Sequence, residues 1–298
     1  MTSLSTRISE ENGKSSKRKR NLFLFWKRFS KRKVSVFGLV IIILFAFLSV
    51  FGPFLTIYDP TEQSLVNSFE PASMQHWLGT DNLGRDMLTR LIHGAKISFQ
   101  ISIVSVSLGL LVGLVLGGTA GYYGGKIDAL IMRFIDILLA FPGILLAIAI
   151  VAILGNGITN TMLAVAIFTV PDFARIFRGS VMSIKEMEYI EASKAMGFSD
   201  STIIIKHIVP NALSPLIVQA TQLMGTSILI ASGLSFIGLG VQPPNPEWGA
   251  MLSSSRAYLS SFPMLAVMPG IAITLVVLSF SLVGDGLRDV LDPQLKDK

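Results

Sequence analysis

The residues with the clearest chemical signal lie in one charged segment, residues 183–210, which separates two very apolar runs. Ser183 and Glu186 have the spacing of a capping box, in which each side chain bonds a free backbone N–H of the first helical turn. Gly197 suits the end of that helix, because glycine adopts the left-handed cap conformation at no side-chain cost. We therefore predict a short helix over residues 186–196, placed in an aqueous loop and suited to binding another protein.

Patterns typical of catalysis or of metal and nucleotide binding are missing from the rest of the sequence. Residues 124–126 read G-G-K, but Ile127 stands where a phosphate-binding loop needs a serine or threonine hydroxyl for magnesium. The three histidines, His76, His93 and His207, lack the spacing of metal ligands. Without cysteine, the chain forms no disulfide or thiolate site. We therefore expect no catalytic, cofactor or metal site in this chain.

The apolar runs around the charged segment predict an integral membrane protein. The 298 residues are 51% hydrophobic and only 15% charged, with a mean hydropathy of +0.62, whereas a soluble domain is about 25% charged. Five runs lack Asp, Glu, Lys and Arg, and each is longer than the roughly 20 residues that a spanning helix needs. They extend over Val34–Tyr58, Ile97–Gly125, Ile137–Pro171, Ile208–Pro246 and Ala257–Gly284.

The run Ile137–Pro171 is too long for one helix, and the G-N-G sequence at residues 155–157 within it is typical of a turn. Dividing the run there gives six transmembrane helices and an all-α fold. With the N-terminus in the cytoplasm, the inner segments hold 21 Lys and Arg residues and the outer segments hold four. Because basic residues accumulate on the cytoplasmic side, we expect both termini and residues 183–210 to be cytoplasmic.

This topology divides the chain into five parts. The N-terminal tail carries 11 basic and two acidic residues, a composition that suits contact with anionic lipid headgroups better than nucleic-acid binding. The parts are a basic cytoplasmic tail (1–33), a first transmembrane helix (34–57), an extracytoplasmic segment (58–96), a five-helix core (97–286) and a cytoplasmic C-terminal tail (287–298).

The second predicted span contains glycines at four-residue intervals, which places them near one another on one face of a helix. Such a face lets a neighbouring helix approach closely. Tight packing and a sliding contact between moving helices both need this pattern, and the sequence alone does not separate them. The glycines assigned to helix packing are Gly109, Gly113, Gly117 and Gly121.

The fifth predicted span carries polar residues on one side, within about 140° of each other at 100° per residue. Polar side chains in a bilayer face the bundle interior or a water-filled cavity. These residues either line a substrate path or form hydrogen bonds between helices. The candidate pore-lining residues are Asn211, Gln219, Gln222 and Thr226, with Ser214 beside them.

The charged segment resembles the EAA loop of ABC-importer permease subunits. That pattern is Glu-Ala-Ala, three residues, Gly, nine residues, Ile, one residue, Leu-Pro; here Ser193, His207 and Val209 replace the second alanine, the isoleucine and the leucine. The resemblance implies that this loop contacts an ATPase subunit. The residues it assigns to coupling are Glu188, Glu191, Ala192, Ser193, Gly197, His207 and Pro210.

Two further stretches are similar to the C-type permease of the dipeptide, oligopeptide and nickel importers. They are L-G-T-D-N-L-G-R-D at Leu78–Asp86 and S-F-I-G-L-G-V-Q-P-P-N-P-E-W-G at Ser235–Gly249. The resemblance implies a type I importer (MetI-like) fold in the bacterial inner membrane. It also implies four partners: a homologous B-type permease, two ATPase subunits that bind ATP and magnesium, and an extracytoplasmic solute-binding protein.

The predicted function is therefore transport without an ATPase site in this chain, with di- or oligopeptides or a related small solute as the cargo. Within the same family, nickel complexes and glutathione are alternative substrates. Outside it, the alternatives are a self-contained secondary transporter or channel, or a membrane enzyme. Transporters of that kind often carry charged relay residues inside their spans, and the near absence of such residues here favours the importer subunit.

Overall fold

The computed structural model describes residues 23–291, and within them it contains helices and turns but no β-strand. The predictions for the rest of the two tails lie outside the described residues. The helices are α1 (23–29), α2 (Lys33–Leu55), α3 (Met87–Tyr123), α4 (Gly125–Ala140), α5 (Gly143–Leu154), α6 (Ile158–Ile184), α7 (Glu188–Ala195), α8 (Asp200–Ile203), a π-helical turn (Ile204–Ile208), α9 (Val209–Asn211), α10 (Leu213–Phe236), α11 (Trp248–Ser255) and α12 (Met264–Leu291).

Within residues 23–291, five helices are long and apolar enough to cross a membrane, namely α2, α3, α6, α10 and α12. The predicted third span, which starts at Ile137, is not one helix, because α4 and α5 are bent by 95°. The bend lies at Phe141 and Pro142, where proline lacks a backbone N–H and holds the residue before it in extended backbone. Helix α5 has 12 residues, about 18 Å, against the roughly 30 Å of a hydrocarbon core. A sixth crossing therefore needs both helices of the bent pair.

Helix α3 starts at Met87, ten residues before the predicted core boundary at residue 97. The charge of Arg90 suggests a loop in the sequence, but its guanidinium is buried and donates a hydrogen bond to the carbonyl oxygen of Pro60 (2.6 Å). Asp86 caps α3 at its observed start by accepting a hydrogen bond from the N–H of Thr89 (2.7 Å). The 37 residues of α3 give a rod of about 55 Å, longer than the bilayer core.

Helices α3 and α6 pack together along the glycine face of α3. At each of the four glycines, an added Cβ atom would press against α6, so the absence of a side chain is what permits this approach. Ser105 adds a hydrogen bond from its Oγ to the carbonyl oxygen of Met162 (2.8 Å). In chain order, Gly109, Gly113, Gly117 and Gly121 face Thr169, Phe173, Ala174 and Val181.

The short helix α11 is enclosed by α3, α10 and α12. Its first residue, Trp248, is fully buried, and the indole Nε1–H donates to the carbonyl oxygen of Leu91 (2.9 Å). The ring also meets Phe45 of α2 edge-on at 5.6 Å. Helix α12 continues from this region to Leu291, five residues beyond the predicted core boundary at residue 286.

Replacing Gly117 with alanine should destabilise the protein, because the new Cβ would overlap the carbonyl oxygen of Ala174, a backbone atom that cannot rotate away. Overpacking of this kind costs about 1–3 kcal/mol. Gly179→Ala is the matched control, since its added Cβ would meet nothing within 4 Å beyond its neighbours in the same helix and alanine favours a helix. Thermal unfolding in detergent should give a lower melting temperature for Gly117→Ala only; equal values would contradict this packing.

Candidate functional site

The charged segment forms helix α7, which follows α6 after a short turn. The predicted capping box is wrong, because Ser183 lies in the last turn of α6 and Glu186 lies in the turn between the helices. Met187 holds the N-cap position of α7 and makes no side-chain hydrogen bond there. Helix α6 extends this far because Ile184 is buried in the core, so tertiary packing outweighs the local capping signal.

Helix α7 ends in a left-handed glycine turn. Gly197 has a φ of +79°, its N–H donates to the carbonyl oxygen of Lys194 (2.9 Å), and the N–H of Phe198 donates to that of Ser193 (3.2 Å). These two bonds form a Schellman motif. A residue with a Cβ would be strained at this φ even though the space around Gly197 is open. The direction in which the chain leaves α7 therefore depends on glycine.

Two residues anchor α7 to the bundle, and the rest of its surface faces outward. Ile190 is fully buried in one cluster with Phe177 and Ile208, and Ser193 is buried with its Oγ bonded to the carbonyl oxygen of Tyr189 (2.7 Å). Of the coupling residues predicted within this helix, Ser193 thus faces the bundle. The exposed residues are Glu188, Tyr189, Glu191, Ala192, Lys194 and Ala195.

The surface around α7 is both acidic and apolar. Glu188 and Glu191 lie exposed in its first turn, where a negative charge is favoured by the helix dipole. Large apolar side chains next to them are also exposed, and Met196 is 68% exposed. Contiguous apolar surface bordered by charge is typical of a protein interface. The exposed apolar residues are Met187, Tyr189, Met196 and Phe198.

Three contacts tie this segment to the C-terminal end of α3, and sequence reasoning missed all of them. The ammonium group of Lys185 donates to the carbonyl oxygen of Gly121 (2.9 Å). The hydroxyl of Tyr122 donates to the carboxylate of Asp200 (2.7 Å). The ammonium of Lys194 lies 5.3 Å from the centre of the Tyr122 ring. A displacement of α7 would therefore act on α3 as well as on α6, to which it is joined.

The chain returns to the bundle through α8, the π-helical turn and α9. His207 lies in the π-helical turn, half-buried, and its carbonyl oxygen accepts a hydrogen bond from the side chain of Asn211 (2.6 Å). Pro210 is exposed and has no N–H to continue an α-helical ladder, which suits the wider winding before it. His207 and Pro210 thus shape the connection from the loop into α10.

A cavity of about 450 Å³ opens between α6, α9, α10 and α12. Two of the four candidate pore residues, Asn211 and Gln219, line it. Thr226 instead donates to the carbonyl oxygen of Gln222 (3.3 Å), and the Gln222 side chain lies against Gly284 of α12. The other lining residues are Ile176, Ser214, Pro215, Val218, Arg288 and Leu291.

The polar groups of this cavity can bond amides and carboxylates. Asn211 and Gln219 supply amide donors and acceptors, Ser214 supplies a hydroxyl, and Arg288 supplies a guanidinium. Sequence reasoning missed Arg288, because it lies at the end of α12, far from the polar face of α10 along the chain.

At the opposite end of α3, the stretch Leu78–Asp86 contributes to a buried charge network that the sequence did not reveal. The carboxylate of Asp81 accepts a hydrogen bond from the Nε of Arg85 (2.7 Å) and lies 3.5 Å from the Nε of Arg90. Both arginines are buried. This network holds the segment before α3 against the helix, so these residues act on the fold rather than on a ligand.

A second buried carboxylate caps α11. Glu247 is fully buried, and its two oxygens accept hydrogen bonds from the hydroxyl of Ser232 (3.1 Å) and the N–H of Ala250 (2.9 Å). Because burial disfavours the ionised form, the pKa of the Glu247 carboxyl is raised above its usual value. The proline-rich loop before α11 thus ends in a fixed helix start.

Comparison with known proteins gives two family matches. Residues 109–297 match the family described as "Binding-protein-dependent transport system inner membrane component". Residues 22–72 match the family described as "N-terminal TM domain of oligopeptide transport permease C". The two matches lie on different parts of the chain and together include α1, α2 and the whole segment from α4 to α12.

Individual relatives and solved structures agree with these matches. The dipeptide transport system permease protein of Alkalihalophilus pseudofirmus is 49% identical over 271 residues, which is 91% of this chain and 89% of that protein. The glutathione transport system permease protein of Escherichia coli O157:H7 is 47% identical over 273 residues, 91% of this chain and 90% of that protein. The MetNI methionine ABC transporter, in an inward-facing conformation, is similar in fold, with a TM-score of 0.55 at 22% identity over 68% of this chain and 97% of that one.

Replacing Asp81 with asparagine should strongly destabilise the protein, because two buried guanidinium groups would lose their shared carboxylate. Breaking a buried ion pair costs about 3–5 kcal/mol. Glu62→Gln, which removes an exposed carboxylate from the same segment, is the control. Thermal unfolding of the purified proteins should separate the two variants, and an unchanged melting temperature for Asp81→Asn would show that the network does not stabilise the fold.

Proposed function

The chain belongs to the family of binding-protein-dependent transport system inner membrane components, and we propose that it is the C-type permease of an ATP-driven importer of short peptides. The observation that carries this proposal is α7, a helix anchored by two buried residues whose remaining surface is exposed, acidic and apolar. A surface of this composition fits a groove in another subunit. The permease is a multi-pass protein of the inner membrane, and the other subunit hydrolyses the ATP that drives transport.

We place both termini and α7 in the cytoplasm. The support is the distribution of basic residues, 21 of the 25 Lys and Arg being on that side of the predicted topology. This orientation puts α7 where subunits that hydrolyse cytosolic ATP would reach it. ATP and magnesium would belong to those subunits, with no cofactor and no ATPase site in this chain.

In the proposed mechanism, α7 sits in a groove of one of two ATPase subunits and moves as a rigid body when they close on ATP. The displacement passes directly to α6, through Lys185 and Tyr122 to α3, and through the π-helical turn to α10. Tilting of α6 and α10 would then change the side from which the cavity between them is open. Glu188 and Glu191 would contact basic groups of the ATPase.

Short peptides are the substrates that the cavity favours. Its two amides, hydroxyl and guanidinium can bond peptide groups and a C-terminal carboxylate. The relatives named above carry dipeptides and glutathione by their names, and both kinds of molecule contain peptide bonds. A homologous B-type permease would supply the other wall of the path, and a solute-binding protein would deliver the peptide from outside.

Co-purification tests the assembly. The tagged chain, expressed together with the genes beside its own, should bring down a second permease and two ATPase subunits in mild detergent. The purified complex in proteoliposomes should take up a labelled dipeptide only with ATP and the binding protein present. Uptake by the purified chain alone would instead show a secondary transporter or channel, and uptake of glutathione or nickel but not of the dipeptide would reassign the substrate.

Gly197→Val should abolish most ATP-dependent uptake, because a β-branched residue resists the φ of +79° that directs the chain out of α7. Strain of this kind costs about 1–3 kcal/mol, so we expect roughly a tenfold loss or more. Gly197→Asn is the matched control, since asparagine tolerates this conformation and should retain most uptake. Both variants should still insert into the membrane; wild-type uptake by Gly197→Val would contradict the coupling role of α7.

A further inference from the structure

A basic and aromatic surface lies at the junction of α1 and α2, outside the site described above. Phe29 is buried beneath it, with its ring 6.0 Å from that of Trp26. Trp26 itself is 50% exposed and Phe23 is 66% exposed. Because α2 is an apolar spanning helix that starts at Lys33, this junction lies at the membrane surface, where aromatic rings of this kind are favoured.

A cavity of about 330 Å³ opens at the same junction, against the end of α12. Three basic side chains line it, those of Arg28, Lys31 and Arg32. Among the described residues that line it, the only carboxylate is that of Asp289 in α12, which pairs with Arg32. The floor is formed where Gly286 of α12 lets the ring of Phe29 approach closely.

We propose that this cavity binds the phosphate headgroup of an anionic phospholipid. The guanidinium of Arg28 and the ammonium of Lys31 would hold the phosphate oxygens, and the exposed rings of Phe23 and Trp26 would lie beside the acyl chains. Lys27 and Lys33, which lie next to these residues in the chain and are exposed, add further positive charge. The lipid is favoured over an acidic protein because aromatic surface and basic surface adjoin one another at the start of a spanning helix.

The bound lipid would join two elements that are distant in sequence. The cavity walls come from residues around Lys31 and from the last turns of α12, which also contributes Arg288 to the larger cavity. A headgroup between them would hold α1 against α12. The inference does not depend on the substrate or on the ATPase partners; only the assignment of the leaflet depends on the proposed orientation.

Native mass spectrometry of the complete protein in detergent tests the proposal, with phosphatidylglycerol and phosphatidylcholine as the probes. The wild type should retain phosphatidylglycerol in preference to phosphatidylcholine. Arg28→Gln with Lys31→Gln should weaken phosphatidylglycerol binding roughly thirtyfold, since each basic residue near an anionic surface contributes about 1 kcal/mol. Lys126→Gln with Arg133→Gln, which removes two exposed bases from α4, is the control and should bind as the wild type does.

A second variant keeps the test decisive if the first one folds poorly. Asp289→Asn removes the carboxylate from the cavity and should strengthen phosphatidylglycerol binding. Equal losses in the α4 control and in the Arg28/Lys31 variant would show unspecific charge attraction and overturn the proposal. Retention that is unchanged in all variants would also overturn it, as would displacement of the lipid by inorganic phosphate, which would identify a site for the free anion instead.

Discussion

The close approach of α3 and α6 is the contact on which the rest of the structure depends. Four glycines at four-residue intervals leave one face of α3 without side chains between residues 109 and 121, so the backbone of α6 comes near enough for its carbonyl and Cβ atoms to fill that space. In a lipid environment, where the hydrophobic effect does not drive helices together, such packing is a main source of association. Because α7 follows α6 in the chain, the contact between α3 and α6 fixes the position of α7.

The ends of α3 are held by chemistry of two different kinds. At its N-terminus, two arginines share the buried carboxylate of Asp81, and Asp86 caps the helix. At its C-terminus, Lys185 and Asp200 of the loop segment bind the backbone of Gly121 and the hydroxyl of Tyr122. The first set is buried and fixes the fold, whereas the second lies nearer to solvent and can break and form again at a lower cost. The polar contacts that tie the loop segment to α3 are therefore weaker than those that hold the start of the helix, and the buried side chain of Ile190 anchors the segment to the core.

Sequence reasoning predicted the features that depend on residue type at one position or on one period. The apolar runs indicated a helical protein with several membrane spans, and Gly197 marked the end of α7, because both signals are local. Sequence reasoning failed where contacts between residues distant in the chain determine where a helix begins or ends. The start of α3 was missed because the burial of Arg90 depends on Pro60 and Asp81, and the capping box at Ser183 was wrong because buried Ile184 keeps α6 helical.

The functional residues divide in the same way. The residues proposed for coupling in α7 lie within one continuous segment, so their spacing can be recognised in the sequence. The cavity is lined by residues of α6, α9, α10 and α12, and Arg288 lies far along the chain from the polar residues of α9 and α10. The break at Pro142 was hidden inside an uninterrupted apolar run, where composition argued for a single helix although proline argued against it.

The length of α3 has a mechanical consequence. If α3, about 55 Å long, pivots as a unit by about 5° at one end, its other end moves by about 5 Å with no change in any of its own torsion angles. One end of α3 contacts α7 and the other contacts the Asp81 network. A small rotation of α3 at one side of the membrane therefore moves its other end by several ångströms. Rotation of α3 as a rigid body thus links movements on the two sides of the bilayer.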